Sequence, residues 1–318
     1  MNAYGVEGQW RLPEQAVIRL TGPDAAEFLH GQLSNAVRDL PDDQARPAGY
    51  CTAQGRLLAN GILWSPAPQT LDLMVSRDLA EGLLRRLRMF VLRAKVTLTL
   101  DDARPVFGVC GASAVPAALH GLPAWSRRPL AGDTWILATH TRDDMPAAWR
   151  IPDQASAEPP ADVHAAADAG SAAWRAAGLI SGWPWIRAAS QDIFLPSALD
   201  MDLNGSIDFK KGCYPGQEVV ARSHYRGTVK RRMATGIAPW PIDLPAPAAV
   251  GDLYAAGGDA GRPVGRLIEA VIWQEHLYAA AEITLSDWPA TQYAVTAPDG
   301  PVLTLQAPQG LDDPPSPA

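Results

Sequence analysis

Apolar and polar residues alternate through AVIRLTG (16–22) and stop at Gly22-Pro23, which predicts a strand running into a turn. Asp24 then stands as an N-cap ahead of AAEFLHGQL, a helical start with Phe28 and Leu29 on its buried face. The runs AGYCTAQGRLLANGILWS (48–65) and QTLDLMVS (69–76) alternate in the same way, with Gln54-Gly55 as a hairpin turn. From Arg77 to Phe90 the period changes. Leu79, Leu83, Leu84, Leu87 and Phe90 recur at helical spacing and predict an amphipathic helix, followed by the strand AKVTLTL (94–100). This β-α-β-β-α-β rhythm predicts an α+β sheet layered with helices.

Short strands alternate again from about Val106 to Leu137, with a Pro-limited helix at PAALHGL. Segment 146–170 is rich in Ala, Pro and Asp; its first half predicts a surface loop and its second half an Ala-rich helix running to about Ala177. From Thr235 the texture changes to TGIAPW, GDLYAA, PVGRLIEAVI and YAAAEITL, divided by Gly and Pro, which predicts a small all-β sandwich or barrel. GGDAGRPVG (257–265) reads as a hairpin rather than a phosphate-binding loop. The expected division is an N-terminal α/β domain (1–105), a second α/β domain (106–234), a β-domain (235–310) and a disordered Pro-rich tail (311–318).

Composition narrows what such a chain does. Its 318 residues are 47% hydrophobic, so a core forms without metals or disulfides as staples. The net charge of -7 excludes a general polyanion-binding surface, so an anionic ligand needs a local basic patch. Cys51, Cys110 and Cys213 are odd in number and far apart, which excludes a disulfide framework. The six His form no HxxxH or HExxH pattern, and no metal site is expected. The start lacks a secretory signal, and no apolar run approaches the ~18–20 residues that span a bilayer. A cytoplasmic protein with no membrane partner is expected.

The chemistry concentrates in 207–232, IDFKKGCYPGQEVVARSHYRGTVKRR. Cys213 follows Lys210, Lys211 and Gly212, cationic neighbours that favour a thiolate. Gly212 and Gly216 bracket a tight turn that exposes the thiol, and Gln217-Glu218 open a helix whose N-terminus attracts anions. Arg222, Arg226, Lys230, Arg231 and Arg232 follow without an intervening acid, as an anion site or as a solvated face. The run Arg85, Arg86, Arg88, Arg93 and Lys95 reads as the polar side of the 77–90 helix. Trp174, close in sequence to Trp183 and Trp185, is either an aromatic platform for a flat ring or ordinary packing.

FKKGCYPGQEVVARSHYRGTVKRR resembles the signature of the YgfZ family, the folate-binding branch of the glycine-cleavage T-protein superfamily. DIFLPSALDMDL, TGPDAAEFLHGQLSNAV, QGRLLANGIL and GRPVGRLIEAV are similar to further family segments, in the expected order from about residue 16 to 275. The resemblance implies a T-protein-like fold: ferredoxin-like α/β layers closed by a C-terminal antiparallel β-barrel. It also implies tetrahydrofolate or a related folate as ligand, and an accessory role in assembling or repairing four-iron proteins, with an indirect effect on tRNA modification. Cys213 and Lys211 are its implied reactive residues. Trp174, Tyr214, Gln217, Glu218, Arg222 and Arg226 are its implied folate-side residues, and iron–sulfur client or scaffold proteins its implied partners. The T-proteins carry carboxylates in the hairpin where this chain has Gly55-Arg56-Leu57-Leu58-Ala59-Asn60, and a pterin-gripping Glu where it has Ile180. Some relatives carry a Trp where this chain has Gln15.

Three functions stand open at this point. The first is a folate-channel accessory protein whose Cys213 thiolate is redox-capable or ligates transiently, with Arg222, Arg226 and Lys230 toward a glutamate tail or a partner. The second is a folate-dependent aminomethyltransferase or demethylase using Glu218. The third is an RNA-binding module on 222–232, disfavoured by the acidic whole, with no DNA role.

Overall fold

Strand β1 (Gly8–Arg11) leads into β2 (Gln15–Thr21), the alternating run anticipated at 16–22, in a computed structural model that describes residues 7–153, 167–225, 229–288 and 291–309. Asp24 heads helix α1 (Ala25–His30), yet its carboxylate does not cap that helix. It accepts from the backbone N–H of Lys95 at 2.6 Å, tying the helix start to the segment that leads into the neighbouring edge strand at Thr97–Asp101. Strands β3 (Arg46–Cys51), β4 (Leu57–Ala67) and β5 (Thr70–Ser76) follow, then α2 (Arg77–Met89) and β6 (Thr97–Asp101). The sheet order is β3-β4-β5-β2-β6, with every neighbouring pair antiparallel. Leaving out the edge strand β3, β2-α1-β4-β5-α2-β6 in the order β6-β2-β5-β4 is the α+β layer expected from the rhythm, in the ferredoxin-like arrangement that the family resemblance implies. Helix α2 buries Leu79, Ala80, Leu83, Leu84 and Leu87, and each fully buried leucine contributes about 1.5–3 kcal/mol.

The second sheet contains β7 (Phe107–Cys110), β8 (Arg127–Leu130), β9 (Asp133–Leu137) and β10 (Ala147–Pro152), in the order β1-β7-β10-β9-β8. Here the sequence reading needs correcting. AAWRIP was expected as surface loop, and it is an interior strand with Trp149 and Ile151 fully buried. Flanking Ala and Pro masked a strand too short to show its period, and Pro152 sits at its last position, where the lost N–H matters least. The helix expected at PAALHGL is a single 3-10 turn, Ala117–Leu119.

Helix α3 (Ala167–Ile180) extends three residues beyond the expected end, and α4 (Gln217–Tyr225) starts at the anticipated Gln217. Strands β11 (Arg231–Pro239), β12 (Asp252–Ala255), β13 (Pro263–Trp273), β14 (His276–Thr284), β15 (Tyr293–Val295) and β16 (Val302–Leu305) close in the order β11-β14-β13-β12-β15-β16. Of the two β architectures left open, the barrel is the one formed, and 257–265 joins the antiparallel pair β12–β13. The segment 154–166, Arg226 and the tail 311–318 lie outside the described residues.

Charged side chains stitch the layers together. Asp72 on β5 is fully buried and accepts from Arg19 at 2.7 Å and from the equally buried Arg104 at 2.6 Å. Arg232 on β11 reaches Asp202 at 2.6 Å and Asp200 at 3.4 Å, joining the barrel to the segment before α4. Burial pushes the Asp200 carboxyl from its ordinary 3.8 up to about 7; Asp202 adds to the rise and Arg232 opposes it. The native state therefore holds this proton where the unfolded chain has released it, and the stability it contributes is lost as pH rises from about 4 to about 7. Asp200→Asn, which mimics the protonated form, is expected to raise the melting temperature by several degrees at pH 8 and by little at pH 4. A series of thermal melts across this range checks the slope.

Candidate functional site

The Cys213 turn is assembled from three distant stretches of chain. Ser34 Oγ donates to Ser206 O at 2.7 Å, Asn35 Nδ2 donates to Gly205 O at 2.8 Å, and Asp208 N donates to Ser34 O at 3.1 Å. The GQLSN segment after α1 thus fixes the approach to the motif. From the other side, the β3–β4 hairpin turn packs flat against the turn that follows Cys213. A Cβ on Gly216 (φ +80°) would fall 2.4 Å from Thr52 O and 2.7 Å from Gly55 Cα; one on Gly55 would fall 2.9 Å from Val219. Both positions need glycine for space and for left-handed backbone alike.

Cys213 itself is exposed, while Cys51 and Cys110 are buried and their thiols are pushed up to about 12 by burial. Lys211, expected from the sequence as a cationic neighbour of the thiol, makes its hydrogen bonds elsewhere. Its buried ammonium donates to His30 O and Leu33 O at the C-terminal end of α1, the latter at 2.6 Å, and lies 4.9 Å from the Tyr214 ring centroid. Burial lowers the Lys211 pKa to about 8, with Asp208 opposing and Arg38 assisting, and Cys213 acts on it only through charge. Tyr214 is buried, and that burial raises its phenol pKa.

The folate-side residues named from the sequence do not share one cavity. Glu218 and Arg222 pair with each other at 2.7 Å on the exposed face of α4, beside a partly buried Gln217. A cleft of about 420 Å3 lies between the hairpin, α4 and the barrel, lined by Arg56, Ser197, Ser223, Lys230, Arg231 and Arg266 among others. Trp174 lies elsewhere, in an aromatic cage under the junction of the second sheet, α3 and the barrel.

That cage is dense. Trp149 and Trp174 meet edge to face at 5.6 Å, Trp183 and Trp185 at 5.8 Å, and His140 meets Trp174 at 4.3 Å. Trp125 lies over it, stacked on Trp149 at 5.9 Å and edge-on to Trp183 at 4.9 Å. The Trp174 indole fits because residue 108 is glycine: a Cβ there would come 2.4 Å from the ring. Glu269 of β13 borders the same space, fully engaged. Its Oε1 accepts from Arg175 and Arg187 at 3.1 Å, and its Oε2 from the Trp185 N–H at 2.7 Å. Burial alone would raise the Glu269 pKa, but Arg187 and Arg175 hold it below the usual carboxylate value. The enclosed space is about 10 Å3, room for one water.

Glu14, His140, Arg175, Arg187 and Glu269 were not singled out in the sequence, because each belongs to a different element. One signal was readable: a lone Glu inside the apolar strand LIEAVIW predicts a buried, paired carboxylate. Ile180, at the position of the T-protein carboxylate, packs on the main apolar core. Among the described residues, no three His, Cys, Asp or Glu cluster as metal ligands, and no helix is long and apolar enough to cross a membrane.

A ferredoxin-like layer, a second antiparallel sheet and a closed barrel meet around such a cage, the arrangement of the T-protein fold. The chain superposes on the glycine cleavage system aminomethyltransferase T from Bartonella henselae with a TM-score of 0.67, over 93% of this chain and 83% of that one, at 14% identity, a likeness of fold. No family model matches the chain. It is 31% identical over 270 residues to the tRNA-modifying protein YgfZ of Escherichia coli O157:H7 strain EC4115, covering 82% of this chain and 80% of the relative. It is 30% identical over 289 residues to that of Klebsiella pneumoniae strain 342, with the same coverage. The chain belongs to the YgfZ family.

Proposed function

We propose that this chain is a cytoplasmic, folate-binding accessory protein in the assembly or repair of four-iron iron–sulfur proteins, and that it affects tRNA modification through those clients. Family membership supports the tRNA link, since the curated relatives are named tRNA-modifying proteins. One observation carries the ligand reading: buried polar atoms without hydrogen-bond partners are concentrated in the tryptophan cage that contains Trp174. A flat ring with polar edges fits that donor set, with Trp149, Trp174 and Trp183 to flank it, and the lining side chains must turn aside to admit it. A bound reduced folate would supply one-carbon or redox capacity at that place.

Cys213 is the chain's own reactive group in this reading. One exposed thiol cannot hold a cluster that usually takes four thiolates, so any cluster contact is shared with a client or scaffold protein. The transferase alternative finds less support. Asn60 stands in the stretch where T-proteins carry carboxylates, and its amide is spent on Pro184 O at 2.8 Å and Ile186 N at 2.7 Å. A general acid or base is missing from that position.

Deleting the gene in its own cell is expected to lower the activity of four-iron enzymes. Wild-type complementation should restore it, and Cys213→Ala should not, although it melts with the wild type. Normal four-iron activity in the deletion strain would overturn the reading, and full rescue by Cys213→Ala would remove the thiol from it.

A further inference from the structure

Four cations from separate stretches of chain converge on the cleft between the β3–β4 hairpin, α4 and the barrel. They are Arg56 at the hairpin turn, Lys230 and Arg231 where β11 begins, and Arg266 on β13. Glu282 on β14 is the carboxylate that faces them, which leaves an excess of three positive charges in a chain whose net charge is -7. Ser197 and Ser223 add hydroxyl groups, and Ile193 and Leu195 give the cleft an apolar wall. Its volume of about 420 Å3 lies in the range of small-molecule sites, about 300–1,000 Å3.

Stability does not account for this gathering, since like charges drawn together repel. The bonds these cations make are few and exchangeable. Arg231 reaches Glu282 at 3.3 Å and Arg266 reaches Asp252 at 3.2 Å, each through an exposed guanidinium, and such surface pairs contribute little. Arg56 commits one N–H arm to Ile193 O, and the Lys230 ammonium has no partner among the described residues. Guanidinium forks match phosphate oxygens two at a time, and a lysine adds a point charge. One carboxylate or one phosphodiester carries a single negative charge, too little for this excess, whereas a diphosphate carries two to three. The free cations do not continue along α4, where Arg222 is paired with Glu218 at 2.7 Å, so no basic track leads away for a polynucleotide.

We infer that this cleft binds a small diphosphate ester of nucleoside-diphosphate size. Arg56, Lys230, Arg231 and Arg266 hold the phosphates, Ser197 and Ser223 donate to them, and the organic body lies against Ile193 and Leu195. The inference does not rest on the folate reading, because the tryptophan cage shares no lining residue with this cleft. A ligand here bridges the barrel, α4 and the hairpin whose Gly55 packs on the turn after Cys213, so its occupancy bears on the setting of the exposed thiol.

ADP tests it, with adenosine, tri-γ-glutamate and a short RNA oligonucleotide as comparisons. Each is titrated into the full chain by calorimetry in about 25 mM salt, where screening is weak. ADP is expected to bind with a Kd below about 100 μM, and adenosine at least about tenfold more weakly. Arg56→Gln and Lys230→Gln should each weaken ADP by about fivefold or more. Lys95→Gln, which removes an exposed cation ahead of β6 and outside the cleft, should leave ADP within about twofold. All three variants change exposed side chains and should melt near the wild type. If Arg56→Gln does not fold for want of its bond to Ile193 O, Lys230→Gln decides alone. No binding of ADP at about 1 mM would overturn the inference. So would equal affinities for ADP and adenosine, or equal losses from Lys95→Gln and Lys230→Gln. Tighter binding of tri-γ-glutamate would overturn it in favour of a folate tail, and tighter binding of RNA in favour of a polynucleotide face. Failure of ADP leaves the folate reading standing, since that reading depends on the cage.

Discussion

Glu269→Ala is expected to lower the unfolding free energy by about 3–5 kcal/mol, the cost of removing one partner from a buried ion network. The carboxylate on β13 ties that strand to Arg175 on α3 and to the segment after α3, through Arg187 and the Trp185 N–H that closes the cage. Without it, two partly exposed guanidinium groups lose their shared partner and the buried Trp185 amide has no acceptor. Urea unfolding followed by circular dichroism measures the loss, and the tryptophan emission should shift to the red as water enters around Trp183 and Trp185. Glu269→Gln should lose less than Ala, since it can still accept from the Trp185 N–H. A loss under about 1 kcal/mol for alanine, the range of exposed pairs, would show that the cluster contributes little to holding the barrel to the α/β layers.

Lys211→Met is the second expected large effect, at about 2–4 kcal/mol. The methionine fills a similar volume but leaves His30 O and Leu33 O without their donor, at the end of a helix where a cation is also favoured by the dipole. The same variant separates two roles for the lysine. If Lys211 mainly holds the motif onto α1, alkylation of Cys213 in the folded variant should change by less than about threefold between pH 7 and 9. A drop of more than about tenfold would restore Lys211 as the activator of the thiol.

The sequence was informative where one segment carries its own signal. Helix α2 shows an unbroken heptad-like stripe, the β3–β4 hairpin has Gln54-Gly55 at its turn, and the KGCYPGQE motif announces an exposed cysteine followed by a helix. Strand β10 gave no such signal, because six residues with two alanines and a terminal proline carry too little alternation to separate from a loop. The cage was hidden for a different reason. Trp174 stood out as a candidate platform, but His140 and Arg175 are unremarkable in their own segments, and only tertiary packing shows that the histidine is dry and the Glu269 carboxylate triply bonded. The hydrogen bonds of Lys211 to His30 O and Leu33 O were not legible, since adjacency in sequence to Cys213 says nothing about which way a long side chain turns.

The hydrogen bond from Lys211 to His30 closes a loop of 181 residues. A chain emerging from the ribosome N-terminus first has its α1 carbonyls in place long before their donor is made. The cysteine turn therefore acquires its setting only when some two-thirds of the polypeptide has been synthesised, and a fragment ending before Lys211 leaves the His30 and Leu33 carbonyls without this donor. The exposed Cys213 thiol is thus delivered into a body whose first sheet is already available to receive it, so an unsupported Cys213 turn is confined to the last stage of biosynthesis.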